Sequence, residues 1–208
     1  MSFGTMYEFT NTWFLDSARE NWGALVLPLR PKKILEIGSY EGLSTCVTIQ
    51  NLSQEPGLEI HCVDSWMGGV EHASQTMALV EKRFDKNVGI AISNAKSDIS
   101  FVKHKGSSGL ILPKLLSQGK QNYFDFVYVD GSHQAPDVLH DAIMAFNLTK
   151  IGGVIAFDDY LWSEHSHSEK DLLRSPKLAI DAFTNIFARK LRIMRAPLYQ
   201  IFVQKITD

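Results

Sequence analysis

Short apolar runs that stop at glycine or aspartate, each followed by a longer stretch of helical spacing, recur along this chain and restrict its fold more than any other feature. The runs 32–38, 58–64, 99–105, 124–130 and 152–159 read as strands, and 42–52, 71–87, 108–118, 135–150 and 177–190 as helices, the third interrupted near Pro113. Strands so evenly apolar belong in a parallel sheet covered by helices on both faces. The expected fold class is therefore α/β, a doubly wound, mostly parallel seven-stranded sheet of Rossmann-like type. Its last two strands come from 191–205, a terminal antiparallel hairpin turning tightly at Ala196-Pro197. Ahead of the first strand, 11–29 reads as an amphipathic helix. The chain thus divides into an N-terminal helical lid or packing segment, 1–30, and a main domain, 31–208.

Open parallel sheets bind ligands beyond the carboxyl ends of their strands. The first such end, "EIGSYEG" from Glu36 to Gly42, makes a tight strand-to-helix turn. A dinucleotide fingerprint needs a second glycine where Tyr40 stands, so that a pyrophosphate can approach the backbone, and this argues against NAD. Asp64 ends the next strand, 26 residues after Gly38, where an acid accepts hydrogen bonds from a ribose diol, and Trp66 is close enough to stack on a purine. Turn plus spaced acid suggest adenosine without pyrophosphate. The alternatives are a turn cap for Asp64 and plain packing for Trp66.

Two further strand ends carry acids. Asp130 closes the fourth strand, and Asp158 and Asp159 close the fifth 28 residues later. On neighbouring strands, about 4.8 Å apart, these carboxylates converge, and converging negative charge calls for a cation or a proton. Hard oxygen donors favour Mg²⁺ or a similar divalent ion over zinc. His133 stands one turn away, placed to take a proton from a hydroxyl. Solvated loop acids and a helix-capping histidine are the competing readings. The segment 160–176, with Trp162, His165 and His167, reads as a loop over the site.

Composition removes several classes of partner. The 208 residues carry 21 Lys+Arg against 23 Asp+Glu, a formal net charge of −2, and no basic run tracks phosphates, so nucleic acid is not expected. No stretch has the length of a membrane span or the form of a leader, which points to a cytoplasmic protein without membrane partners. The two cysteines, Cys46 and Cys62, sit in apolar segments and read as buried thiols.

As a set, "ILEIGSYEGLST", "HCVDSW", "VYVDGSH" and "GGVIAFDDY" resemble the class I S-adenosylmethionine-dependent methyltransferases. More narrowly, the chain is similar to the small metal-dependent O-methyltransferases, a group with catechol-type and sugar- or macrolide-type branches. The resemblance implies that Glu36, Gly38, Ser39, Tyr40 and Gly42, with Ser44, hold the methionine part. It implies that Asp64, with Ser65 and Trp66, holds the ribose, and that Gly106, Ser107 and Ser108 meet the adenine. Asp130 would serve cofactor, metal and catalysis together, Asp158 and Asp159 would be metal acids, and His133 the base. Catechol-type enzymes commonly carry Asn where Asp159 stands and a lysine near His133, which brings this chain closer to the sugar-type branch.

The implied reaction is methyl transfer from S-adenosyl-L-methionine to a hydroxyl of a small sugar- or polyol-like molecule, with Mg²⁺ or a similar ion assisting. A metal-independent N- or carboxyl-methyltransferase and a non-catalytic S-adenosylmethionine-binding module are the rival readings. The sequence leaves open whether the protein is a homo-oligomer.

Overall fold

The computed structural model describes residues 6–69, 77, 79–163, 171–197 and 199–208. The expected helix start at 71–76 and the loop histidines His165 and His167 lie outside the described residues. Seven strands form one sheet: β1 (Lys33–Ile37), β2 (Leu58–Asp64), β3 (Ile99–Lys105), β4 (Phe124–Val129), β5 (Thr149–Phe157), β6 (Leu191–Met194) and β7 (Ile201–Lys205). Their order is β3-β2-β1-β4-β5-β7-β6. β1 to β5 pair in parallel, whereas β7 runs antiparallel to both β5 and β6. The doubly wound, mostly parallel sheet with an antiparallel C-terminal pair is the architecture that the apolar runs implied.

Two buried clusters sandwich the sheet. One gathers alternate strand residues such as Ile34, Ile60, Phe126 and Tyr128 with α3 (Leu43–Leu52) and α4 (Val80–Ser93). The other gathers Leu35, Val63, Val127 and Ile155 with α5 (Ser108–Ser117), α6 (Ala135–Leu148) and α7 (Pro176–Ile186). This alternation is the period-2 geometry of strands buried on both faces.

Several boundaries differ from expectation. The N-terminal helix is broken into α1 (Trp13–Ser17), α2 (Arg19–Asn21), a π-turn (Trp22–Val26) and a 3₁₀ turn (Leu27–Leu29). Its stripe Phe14, Ala18, Trp22 and Val26 is nevertheless buried at every fourth residue, with Trp22 packed edge-on against Phe126 and Tyr128. α4 runs past 87 to Ser93 because burial of Val88 and Ala91 outweighs Gly89, whose cost within a helix is about 1 kcal/mol. α5 passes through Pro113 without interruption; the ring removes one backbone bond while Leu112 and Leu115 anchor both sides. β5 begins at Thr149, whose hydroxyl donates to Ala145 O (2.7 Å) and closes α6. The strands of the terminal hairpin are joined by residues 195–200, a longer connection than a tight turn at Ala196-Pro197.

The register decides where chemistry collects. Val63, Ile37, Val129 and Phe157 are successive partners across four strands. The next residues along those strands, Asp64, Gly38, Asp130 and Asp158, therefore stand in a row at the carboxyl edge. The chain switches sides of the sheet between β1 and β4, and there a cleft opens. Among the described residues, no helix is long and apolar enough to cross a membrane.

Candidate active site

The cleft encloses ≈ 780 Å³. Gly38, Ser39, Tyr40, Ser44, Asp64, Ser65, Ser107 and Ser108 line one end, and Asp130, His133 and Asp159 the other. Gly38 adopts φ +85, and a Cβ on it would lie 1.9 Å from the carbonyl oxygen of Asp130, so a side chain at this crossing would force the two loops apart. Asp64 is held by backbone donors: Ser39 N (2.8 Å) and Tyr40 N (2.9 Å) donate to Oδ2, and Trp66 N (2.6 Å) donates to Oδ1. Tyr40 and Trp66 take positive φ, 46 and 52, to point those N–H groups inward.

Three expected cofactor residues stand behind this wall. Glu36 is buried and accepts from Ser44 Oγ (2.8 Å) and Thr45 Oγ1 (3.0 Å). Burial raises its pKa to about 7, against the lowering effect of hydroxyls from Ser44, Thr45 and Ser39. Gly42 faces α4, where a Cβ would meet Phe84 and Val88 at 3.0 Å. Trp66 is 4% exposed, packs on Phe84 at 4.8 Å, takes Lys103 over its ring at 4.4 Å and donates to Tyr40 O (2.9 Å). Its ring is committed to packing, so the expected purine stack is not met by this placement.

At the other end Asp130, His133, Asp158 and Asp159 line one small pocket. The three acids line the same pocket, as adjacent strand ends predict, but their carboxylates turn to different partners. Tyr128 donates its hydroxyl to Asp158 Oδ2, and Asp159 N donates to Asp158 Oδ1 (2.8 Å). Asp159 Oδ2 lies 2.9 Å from His133 Nε2, and the imidazole stacks on Trp162 with ring centroids 4.0 Å apart. Asp159, expected as a metal acid, is thus placed on the candidate base. Burial pushes Asp130 well above the usual carboxylate range, and the charges of Asp158 and Asp159 push it further. Asp158 rises to about 6, from burial and then the charge of Asp159. Among the described residues, no three His, Cys, Asp or Glu side chains are gathered as a metal site.

Several residues here escaped the sequence reading. Tyr128, wholly buried, supports Asp158; the signal was one hydroxyl in the apolar half of its strand, after Asp125. Gln200, wholly buried just ahead of β7, takes the Asn21 amide at 3.0 Å and ties the N-terminal segment to the sheet. Phe9, Asn11, Trp13 and Phe14 form a cleft wall, with Trp13 and Tyr40 ring centroids 5.5 Å apart.

Sheet order, switch-point cleft and acid-bearing strand ends together define the class I methyltransferase architecture. A family model described as "Methyltransferase domain" matches residues 35–160, and the chain belongs to that family. The caffeoyl-CoA O-methyltransferase of Populus kitakamiensis is 25% identical over 170 residues, 79% of this chain and 64% of the relative. Tapetum-specific methyltransferase 1 of Arabidopsis thaliana is 28% identical over 173 residues, 81% of this chain and 66% of the relative. For several such relatives this chain spans only about half to two thirds of their length, 64%, 54% and 48%. Two solved structures share the fold. An O-methyltransferase from Bacillus cereus in complex with SAH has a TM-score of 0.60 at 19% identity, covering 90% of this chain and 80% of that one. TomG from Streptomyces achromogenes, in complex with SAM, has 0.61 at 17%, covering 90% and 79%. Several of these relatives, the Populus protein among them, are caffeoyl-CoA O-methyltransferases by name, whereas Asp159 and His133 pointed to the sugar-type branch.

Proposed function

We propose that this protein transfers a methyl group from S-adenosylmethionine to a hydroxyl of a small molecule. The observation that carries this reading is one cleft with a glycine turn and Asp64 at one end and a His133–Asp159 pair at the other. Family membership and the SAH- and SAM-bound proteins of the same fold support it. Bound S-adenosylmethionine supplies an electrophilic methyl group. Asp64 accepts a ribose hydroxyl at the one Oδ1 site left after its three backbone bonds, while Ser107 and Ser108 border the adenine side. Gly38 and Ser39 line the methionine end, with Glu36 bracing the turn from behind through Ser44.

At the acceptor end, His133 takes the hydroxyl proton and Asp159 stabilises the imidazolium that forms. General-base assistance of this kind is worth about 10² to 10⁴ in rate. Trp162 holds the ring in place by stacking, and Trp13 with Tyr40 offers an apolar wall for a ring-bearing acceptor, whether sugar or phenol. Asp130, Asp158 and Asp159 have the hard oxygen donors that suit Mg²⁺, which would lower the pKa of a coordinated hydroxyl.

Metal-independent transfer to an amine or carboxylate is the second reading, favoured by the protein partners that Asp158 and Asp159 already have. Incubation with labelled S-adenosylmethionine and a panel of sugars, polyols, phenols and amines, with and without EDTA, tests both. Hydroxyl labelling that EDTA abolishes supports the first; amine labelling indifferent to EDTA supports the second. No transfer to any class, with S-adenosylhomocysteine still bound, would leave a non-catalytic binding module.

A further inference from the structure

We propose that Glu41 is a positioning residue that latches the N-terminal strap, residues 8–14, to the cofactor turn, so that cofactor binding and strap closure are one coupled event. The proposal rests on the cofactor reading above and adds to it a role for a residue outside the expected site. Glu41 lies between Tyr40 and Gly42 in the turn, and its side chain is 2% exposed. A carboxylate this buried demands donors. It has three from outside the turn: Thr10 N donates to Oε2 (2.6 Å), Thr10 Oγ1 to Oε1 (2.9 Å) and Arg83 Nη1, from α4, to Oε1 (2.9 Å).

A second clasp lies beside it. Asn87, also on α4 and wholly buried, accepts from Glu8 N (2.7 Å) and donates to both Glu8 O and Glu41 O (each 3.0 Å). Residues 8 and 10 are thus pinned by side chains that themselves meet in the cofactor turn. The residues carried between and after these pins, Phe9, Asn11, Trp13 and Phe14, form the wall of the cleft. Thr10 itself is exposed, so apolar burial at that residue does not account for two hydrogen bonds to a buried carboxylate. Those bonds fix the strap against a loop whose conformation the cofactor senses directly, since Ser39 and Tyr40 N–H groups hold Asp64. Ordering one element therefore lowers the cost of ordering the other.

The test uses S-adenosylhomocysteine on the full chain, with calorimetric affinity, dissociation rate and amide hydrogen exchange of residues 8–14 measured free and bound. In the parent, ligand should slow exchange across 8–14. Thr10→Pro removes the N–H donor at an exposed position and leaves the core untouched; it should weaken affinity about tenfold, mainly through faster dissociation, and abolish the ligand-dependent protection of the strap. Glu41→Ala should do the same, and Glu41→Gln, which keeps an acceptor for Thr10, should recover part of the coupling. A merely structural Glu41 would lower thermal stability while strap protection still followed ligand. Parent-like affinity and ligand-dependent protection in Thr10→Pro overturn the latch and leave the cofactor reading standing. A parent that binds no S-adenosylhomocysteine overturns the cofactor reading, and the coupling with it.

Discussion

The two ends of the cleft hold their carboxylates in different ways. At the cofactor end Asp64 receives three backbone N–H groups from loops that positive φ at Tyr40 and Trp66 shapes around it. At the acceptor end Asp130, Asp158 and Asp159 crowd one pocket, and beside one backbone donor, Asp159 N, the groups that meet them are side chains, the Tyr128 hydroxyl and the His133 ring, of which the imidazole can exchange a proton. Backbone N–H donors are fixed in place and cannot change their own protonation, which suits a binding site. Proton-bearing partners and repelling charges hold a set poised to change, which suits chemistry. The cleft therefore divides into a static end that grips and a reactive end that responds.

The strongest way to break this contrast is at the reactive end. His133→Ala should cut methyl transfer by about 10² to 10⁴, with S-adenosylhomocysteine affinity within about twofold of the parent by calorimetry. An equal loss of affinity would mean that the two ends are not separate.

The next test sharpens the comparison behind the static end, where Glu36 is the one carboxylate lacking amide donors of the kind Asp64 has. Its pKa is raised from 4.5 to about 7, so the folded state binds its proton more tightly than the unfolded chain. The contribution is fully present below pH 4.5 and is lost as pH rises to about 7. Denaturant titrations should show about 3 kcal/mol of stability lost across that window, and Glu36→Gln should flatten the loss.

A smaller effect is expected at Asp64. Asp64→Ala removes charge-assisted bonds worth about 1.5 to 3 kcal/mol each, and S-adenosylhomocysteine affinity should fall at least about tenfold in a folded protein. Smallest is Trp66→Phe, which keeps an aromatic ring against Phe84 but loses the bond to Tyr40. Thermal stability should drop while cofactor affinity moves less than about threefold. A fall comparable with Asp64→Ala would restore the purine-stacking role that the buried ring argues against.

Much of the sheet was legible because its central strands are largely buried on both faces and so read as nearly continuous apolar runs, as in "FDFVYV", where Asp125 is the one charge. The acids at 64, 130 and 158 were legible as a set because a parallel register places strand ends side by side. What stayed hidden depends on where side chains turn. Nothing in "VDSW" distinguishes a tryptophan aimed at a ligand from one folded under Phe84, because the choice is made by a left-handed residue in the loop. Nothing in the sequence singles out Glu41 inside its glycine turn, because its partners Thr10 and Arg83 lie 31 and 42 residues away. Likewise the pairing of Asp159 with His133 spans 26 residues and follows from β4 and β5 being neighbours.

The separation of a gripping end from a responding end is tested most directly by titrating Mg²⁺ and S-adenosylhomocysteine into the parent and into Asp158→Ala. The parent should bind both, and Asp158→Ala should lose the divalent ion while S-adenosylhomocysteine affinity stays within about twofold. Divalent-ion binding that survives in Asp158→Ala, or S-adenosylhomocysteine affinity that falls with it, would contradict the division.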